Sequence, residues 1–242
     1  MANNSIMQKD SIHRLVSDIK NIRKNPLHSE GIYYTHDDEE MLKGYVMIVG
    51  PVDTPYENGL YFFDVTFPTD YPHSPPSFTY LTNDGKTRFN PNLYRSGKVC
   101  LSILNTWRGE QWTSCQTLIS VLITLVTIFN ENPLMNEPGI MASCNEIPRY
   151  NKIISYKNYE TSIYNLAMRY NNDTLKTCEE CFRDEIVEHI NKNKNIMLES
   201  ITKLRGDCDT ESVSTTLYHM QTHLDYNNLY TKIKNIKLKT LN

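Results

Sequence analysis

The chain has 242 residues, of which 39% are hydrophobic and 22% charged, with a formal net charge of −3. Such a chain can bury a substantial core, and its balance fits neither a disordered nor a fibrous protein. The slight acidity excludes a strongly basic nucleic-acid binder. Six cysteines (Cys100, Cys115, Cys144, Cys178, Cys181 and Cys208) follow no framework spacing, and no apolar run of signal-peptide type follows Met1. Reduced thiols in the cytoplasm or nucleus are therefore expected. The longest apolar stretch, 118–129, contains Ser120, Thr124 and Thr127. It is too short to span a membrane and reads as a buried helix. Asn3 and Asn172 lie in N-x-S/T sequons, but without a secretory signal no glycosylation is expected.

Ile12, Leu15, Val16, Ile19 and Ile22 recur at helical spacing, predicting an amphipathic helix over about residues 9–24. Its other face carries Lys9, His13, Arg14, Lys20, Arg23 and Lys24, and Asn25-Pro26 ends it. Strand-like runs follow at 42–49, 60–67 and 77–81, with a weaker one at 32–35. They are rich in β-branched and aromatic residues, and Gly50-Pro51, Asn58-Gly59 and the proline cluster of 71–76 punctuate them. Short links between successive strands argue for an antiparallel meander. Residues 82–112 keep no period and are dense in turn formers; an irregular stretch of this length is usually functional. A helix apolar on most sides is expected over about 114–129, then a turn at Asn132-Pro133 and Glu137-Pro138. Pro148 suits the first turn of a further helix carrying Tyr150, Ile153, Ile154, Tyr159, Ile163 and Leu166. From about residue 172 a weaker helical pattern places Leu175, Cys178, Phe182, Ile186, Val187 and Ile190 on one face. The chain after Asp207 is polar with scattered Leu and Ile.

The irregular stretch holds Asn90-Pro91-Asn92 and, eight residues after Asn92, Cys100 in the string Gly97-Lys98-Val99-Cys100-Leu101-Ser102-Ile103-Leu104. A lone cysteine is more often a buried structural residue, and a lone Asn in a turn is ordinarily a turn former. Here they stand in a longer pattern. Gly50-Pro51, Thr54-Pro55-Tyr56, Phe67-Pro68-Thr69-Asp70-Tyr71-Pro72, Pro75-Pro76, Pro91-Asn92, Cys100-Leu101, Ile103-Leu104 and Trp112 occur in order. Over about residues 9–170 the sequence thus resembles the ubiquitin-conjugating (E2) family. Asn90–Tyr94, Gly97–Leu104, Thr106-Trp107, Glu131-Asn132-Pro133 and Asn136–Gly139 are similar to a subgroup with a C-terminal helical extension, served by the second, dual-specificity activating enzyme. They also resemble the conjugating domain of the giant BIR-repeat protein.

The resemblance implies an α+β fold: the ubiquitin-conjugating fold, a four-stranded antiparallel meander flanked by helices. Residues 9–171 would form that domain and 172–242 a C-terminal helical extension. It implies that Cys100 accepts ubiquitin as a thioester from an activating enzyme and passes it to a lysine or a ligase. A thiolate suits this task, being both a strong nucleophile and a good leaving group. No histidine lies near Cys100 in sequence, in keeping with a family that positions its cysteine in a shallow groove. Asn92 matches the family asparagine held to stabilise the tetrahedral oxyanion, a donor worth about 3–4 kcal/mol in well-studied hydrolases. Direct action on the oxyanion and holding of the loop both stay open. Glu137 stands near the family aspartate that orients or desolvates the incoming lysine. The chain itself is expected to need no cofactor, since ATP is used by the activating enzyme. The basic first helix (Lys9, Arg14, Lys20, Arg23, Lys24) would meet the activating enzyme, and loops near His73 and Ser114 a ligase.

Some positions depart from the family. Asn90 replaces a loop-bracing histidine, and Ser102 replaces an aspartate two positions past the cysteine; both match the subgroup. His73 stands for an apolar residue and Ser114 for a proline, which argues against broad pairing with RING-type ligases. Cys178-x-x-Cys181 lacks the second pair that a structural zinc site needs, so no metal is expected. Three other readings compete. A scaffold of this fold would lack Cys100, a different ubiquitin-like modifier would keep the same chemistry, and a helical adaptor would place function in the weakly periodic extension.

Overall fold

The computed structural model describes residues 8–239, so the Asn3 sequon lies outside the described residues. Helix α1 spans Lys9–Lys24, with Leu15, Ile19 and Ile22 buried. Strands β1 (Ile32–His36), β2 (Lys43–Val49), β3 (Leu60–Thr66) and β4 (Ser77–Tyr80) form one antiparallel sheet in the order β1-β2-β3-β4. This is the meander expected from the short links between apolar runs. On β2 five consecutive residues are buried, and on β3 four, so both faces of the central strands are covered.

Helix α2 (Leu118–Thr127) starts with its apolar run and not at about 114 as expected. Thr117 caps it, accepting from Ser120 N at 3.2 Å, while the Ser120 hydroxyl accepts from Thr117 N at 2.9 Å. Helix α3 (Ile147–Lys157) has proline in its first turn and runs through a π-helical segment, Asn158–Tyr164, into α4 (Asn165–Asn171). The wider turn carries Asn158 inward. Its amide oxygen accepts from Tyr61 Oη at 2.6 Å, and its Nδ2 donates to the Glu57 carbonyl at 2.9 Å. A Cβ at Gly59 would lie 1.9 Å from Asn158 Oδ1, so glycine is required where the π-helix meets the sheet.

The extension is helical in α5 (Thr177–Glu180), α6 (Arg183–Arg205) and α7 (Tyr226–Lys234). It also contains a hairpin that helical periodicity did not foreshadow, β5 (Thr210–Thr215) with β6 (Met220–Asp225). Val213, Thr215, Met220, Thr222 and Leu224 are buried in alternation with exposed residues, a period of two in chain that reads as merely polar. The extension covers the sheet. The Cys178 thiol donates to the Phe63 carbonyl at 3.5 Å, and the Phe182 ring lies 6.3 Å from that of Phe62. Burial pushes the Cys178 thiol up, away from thiolate, whereas Cys181 is exposed. One apolar cluster runs from Leu15 and Phe63 through Leu122 and Ile153 to Ile186, Leu224 and Ile233.

Candidate active site

The stretch between β4 and α2 is irregular but tightly bonded. Tyr94 N donates to the Lys98 carbonyl at 2.9 Å, and Tyr80 N to the Gly97 carbonyl at 2.7 Å. This lays a tight turn against β4. Gly97 has φ +90, and a Cβ there would come within 3.1 Å of the Tyr80 carbonyl, so only glycine fits both the dihedral and the approach. Three residues on, Cys100 is held by Asn92 in both directions. Cys100 N donates to the Asn92 carbonyl at 2.9 Å, and Asn92 Nδ2 donates to the Cys100 carbonyl at 2.7 Å. Asn92 Oδ1 is buried with no hydrogen-bond partner among the described residues.

Asn90 is the node of this turn. Fully buried, it donates from Nδ2 to Tyr56 Oη at 2.9 Å and to the Ile128 carbonyl at 2.8 Å. Its Oδ1 accepts from Asn92 N at 3.0 Å and from Asn136 Nδ2 at 3.3 Å. Its amide thus reaches both the Asn92 turn and the segment before Glu137.

Glu137 follows the helical turn Pro133–Asn136. With Lys98, Asn105, Trp107, Arg108 and others it lines an open groove of about 820 Å³. Glu137 Oε2 accepts from Tyr218 Oη of the extension. Cys100 itself is only 2% exposed. All six cysteines are free; Cys115, Cys181 and Cys208 are exposed.

On α1, Lys9, Lys20, Arg23 and Lys24 are exposed. Arg14 is not free in the same way. It bonds Asp18 at 3.2 Å and the Ser114 carbonyl at 2.7 Å, and also reaches the Gln116 carbonyl. These carbonyls belong to the segment expected to open α2, and they face Arg14 because the helix begins only after them. His73 and Ser114 are both exposed. Their loops are joined by Trp112, whose indole Nε1 donates to the Pro72 carbonyl at 2.7 Å.

Sequence reasoning missed Arg88 and Tyr218. Arg88 donates to the Asn90 carbonyl at 3.1 Å and to the Pro91 carbonyl at 2.7 Å. Local periodicity marks neither: Arg88 bonds carbonyls two and three residues on, across a turn, and Tyr218 meets Glu137 from 81 residues away.

The family model for "Ubiquitin-conjugating enzyme" matches residues 14–172. The chain belongs to the ubiquitin-conjugating enzyme family. Membership makes it a ubiquitin-transferring enzyme with ubiquitin, activating enzymes and ligases as its classes of partner. It is 33% identical over 226 residues to ubiquitin-conjugating enzyme E2 Z of Xenopus tropicalis, covering 92% of this chain and 70% of that protein. Against human E2 Z the identity is 33% over 231 residues, with 94% of this chain and 63% of that protein covered. Human BIRC6, a dual E2 ubiquitin-conjugating enzyme/E3 ubiquitin-protein ligase, is 40% identical over 172 residues, 68% of this chain and 4% of that protein. The E2 therefore stands close to the relatives that its motifs suggested. Among the described residues no helix is long and apolar enough to cross a membrane.

Proposed function

We propose that Cys100 is the residue that carries ubiquitin. Its thiolate attacks the carbonyl of the thioester on the activating enzyme, whose cysteine leaves as a thiolate. A substrate lysine, or a ligase cysteine, then attacks the new thioester. With lysine, the amine loses a proton, the C–S bond breaks, and Cys100 departs as thiolate from an amide. No step consumes ATP or a cofactor on this chain.

The observation that carries this reading is the two-way hydrogen bonding of Cys100 and Asn92. It holds the Cys100 residue beside a side-chain amide donor, an arrangement that suits acyl exchange between thiols. Glu137, at the groove, is the group we assign to the incoming lysine. The exposed Lys9, Lys20, Arg23 and Lys24 form the face for the activating enzyme, with Arg14 bracing the helix behind them. The loops of His73 and Ser114, joined through Trp112, form the ligase face. Residues 9–171 are the conjugating unit, 172–242 are its extension, and the protein works in the cytoplasm or nucleus.

The test is loading with ubiquitin, ATP and each ubiquitin-activating enzyme, read on a non-reducing gel. A thiol-sensitive adduct lost in Cys100→Ala is expected. An adduct that survives Cys100→Ala would overturn the assignment. Loading only with another ubiquitin-like protein would replace the modifier and keep the site.

A further inference from the structure

The tip of the β5–β6 hairpin lies against the active site, more than a hundred residues on from Cys100. Tyr218 Oη donates to Glu137 Oε2. The Arg88 guanidinium lies 3.4 Å from the ring centroid of Tyr94 and 5.2 Å from that of Tyr218. The same guanidinium holds the Asn90 and Pro91 carbonyls just before Asn92. Arg95 Nη2 donates to the Tyr218 carbonyl at 2.7 Å. Glu146 accepts from Thr216 N at 2.8 Å and from Leu217 N at 2.9 Å. Tyr218 and His219 have φ 63 and 49, a left-handed geometry that non-glycine residues keep only when their surroundings enforce it. Here Arg95, Glu146 and Glu137 supply that enforcement.

We propose that Tyr218 is a positioning residue for ubiquitin transfer: its hydroxyl fixes the Glu137 carboxylate at the groove, so the C-terminal extension completes the active site in cis. The proposal rests on the assignment of Glu137 to the incoming lysine. A glutamate on a loop has several rotamers, and a carboxylate that must meet an amine loses rate when it wanders. One hydroxyl on Oε2 does not exhaust a carboxylate, which offers about four acceptor sites. Burial and the adjoining Glu137 push the Tyr218 phenol up, so it stays a donor at working pH. The hairpin tip also backs the Asn92 turn through Arg88, so Glu137 and Asn92 are referred to one support.

The experiment is single-turnover discharge of preloaded thioester to free lysine, for wild type, Glu137→Gln, Tyr218→Phe and the double variant. Each single change is expected to slow the maximal rate on the order of tenfold, and the double variant to be no slower than Glu137→Gln. Tyr218→Phe at the wild-type rate, with Glu137→Gln slow, would overturn the proposal alone. Additive losses would also overturn it, since a hairpin that merely stabilised the fold would slow the Glu137→Gln protein as well. Glu137→Gln at the wild-type rate would remove the role of Glu137 itself, and the proposal with it.

Discussion

Asn92 and Cys100 are bonded to each other through both backbones and one side chain, with the Asn92 amide on the Cys100 carbonyl at 2.7 Å. A carboxamide has two N–H bonds, so this tie leaves a second donor for a tetrahedral oxyanion. Holding the loop and stabilising the oxyanion are then not alternatives. Asn92→Ala is expected to accept ubiquitin still but to discharge to lysine about a hundredfold more slowly, the scale for losing one such donor. Quench-flow or gel time courses measure this. Discharge within threefold of wild type would leave Asn92 with the loop alone.

Arg169 on α4 and Glu179 on α5 join the extension to the conjugating domain. Glu179 is fully buried and accepts from Arg169 Nε at 3.0 Å and from Lys176 N at 2.9 Å. Arg169 is 27% exposed, so removing it strands a buried carboxylate at a cost of up to about 3–5 kcal/mol, the figure for a fully buried pair. Arg169→Ala should lower the urea midpoint accordingly. The double change Arg169→Met with Glu179→Leu should recover most of the loss, because it removes the stranded carboxylate. A single variant as stable as wild type would show that Glu179 has another way to be satisfied.

His189 on α6 sets a pH dependence. Its Nε2 lies 2.9 Å from the Asn58 carbonyl and its Nδ1 3.2 Å from Asn193 Nδ2. Burial holds its pKa below the ordinary histidine value; Lys192 adds to this, while the Asn58 carbonyl and Glu188 oppose it. The unfolded chain, with a histidine pKa of about 6.5, takes up the proton first. The contribution is therefore complete above that pH and is lost as pH falls towards the folded pKa. His36, also depressed by burial, acts in the same direction. Urea midpoints should fall between pH 7 and 5, and His189→Gln should flatten the slope without abolishing it. An unchanged slope would place the proton uptake elsewhere.

The first helix separates into two kinds of cation. Arg14 joins Asp18 to the carbonyls of Ser114 and Gln116; hydrogen bonds to charged groups contribute about 1.5–3 kcal/mol. Arg14→Ala should lose stability on that scale. Lys20 and Lys24 are exposed, and their reversal to Glu should leave stability within about 0.5 kcal/mol yet slow loading by the activating enzyme. Urea titration and initial loading rates distinguish the two. Normal loading after both reversals would move the activating-enzyme contact off α1.

The meander was legible because its apolar runs and turn pairs obey local rules, and the nearness of Asn92 to Cys100 because their motif is compact. Other elements were hidden for particular reasons. The five-residue step from Ile154 to Tyr159 marks the π-helical segment, but it passes as noise among steps of three and four. The hairpin alternates Val213, Thr215, Met220, Thr222 and Leu224 inward, yet two of these are threonines and the hydrophobic signal vanishes. Tyr218 meets Glu137 only through tertiary packing, which no window of sequence contains. The helical run expected from Ser114 begins at Leu118, with the apolar run, because Thr117 and Ser120 cap each other there.

The apolar cluster that passes without a break from the sheet into α6 and α7 has a mechanical consequence. An appendage on a flexible tether would raise the local concentration of whatever it binds and leave orientation to chance. Here the appendage is bolted to the domain. Anything bound rigidly to α6 or α7 would therefore keep one distance and one angle to Cys100, where a tethered appendage would let both vary.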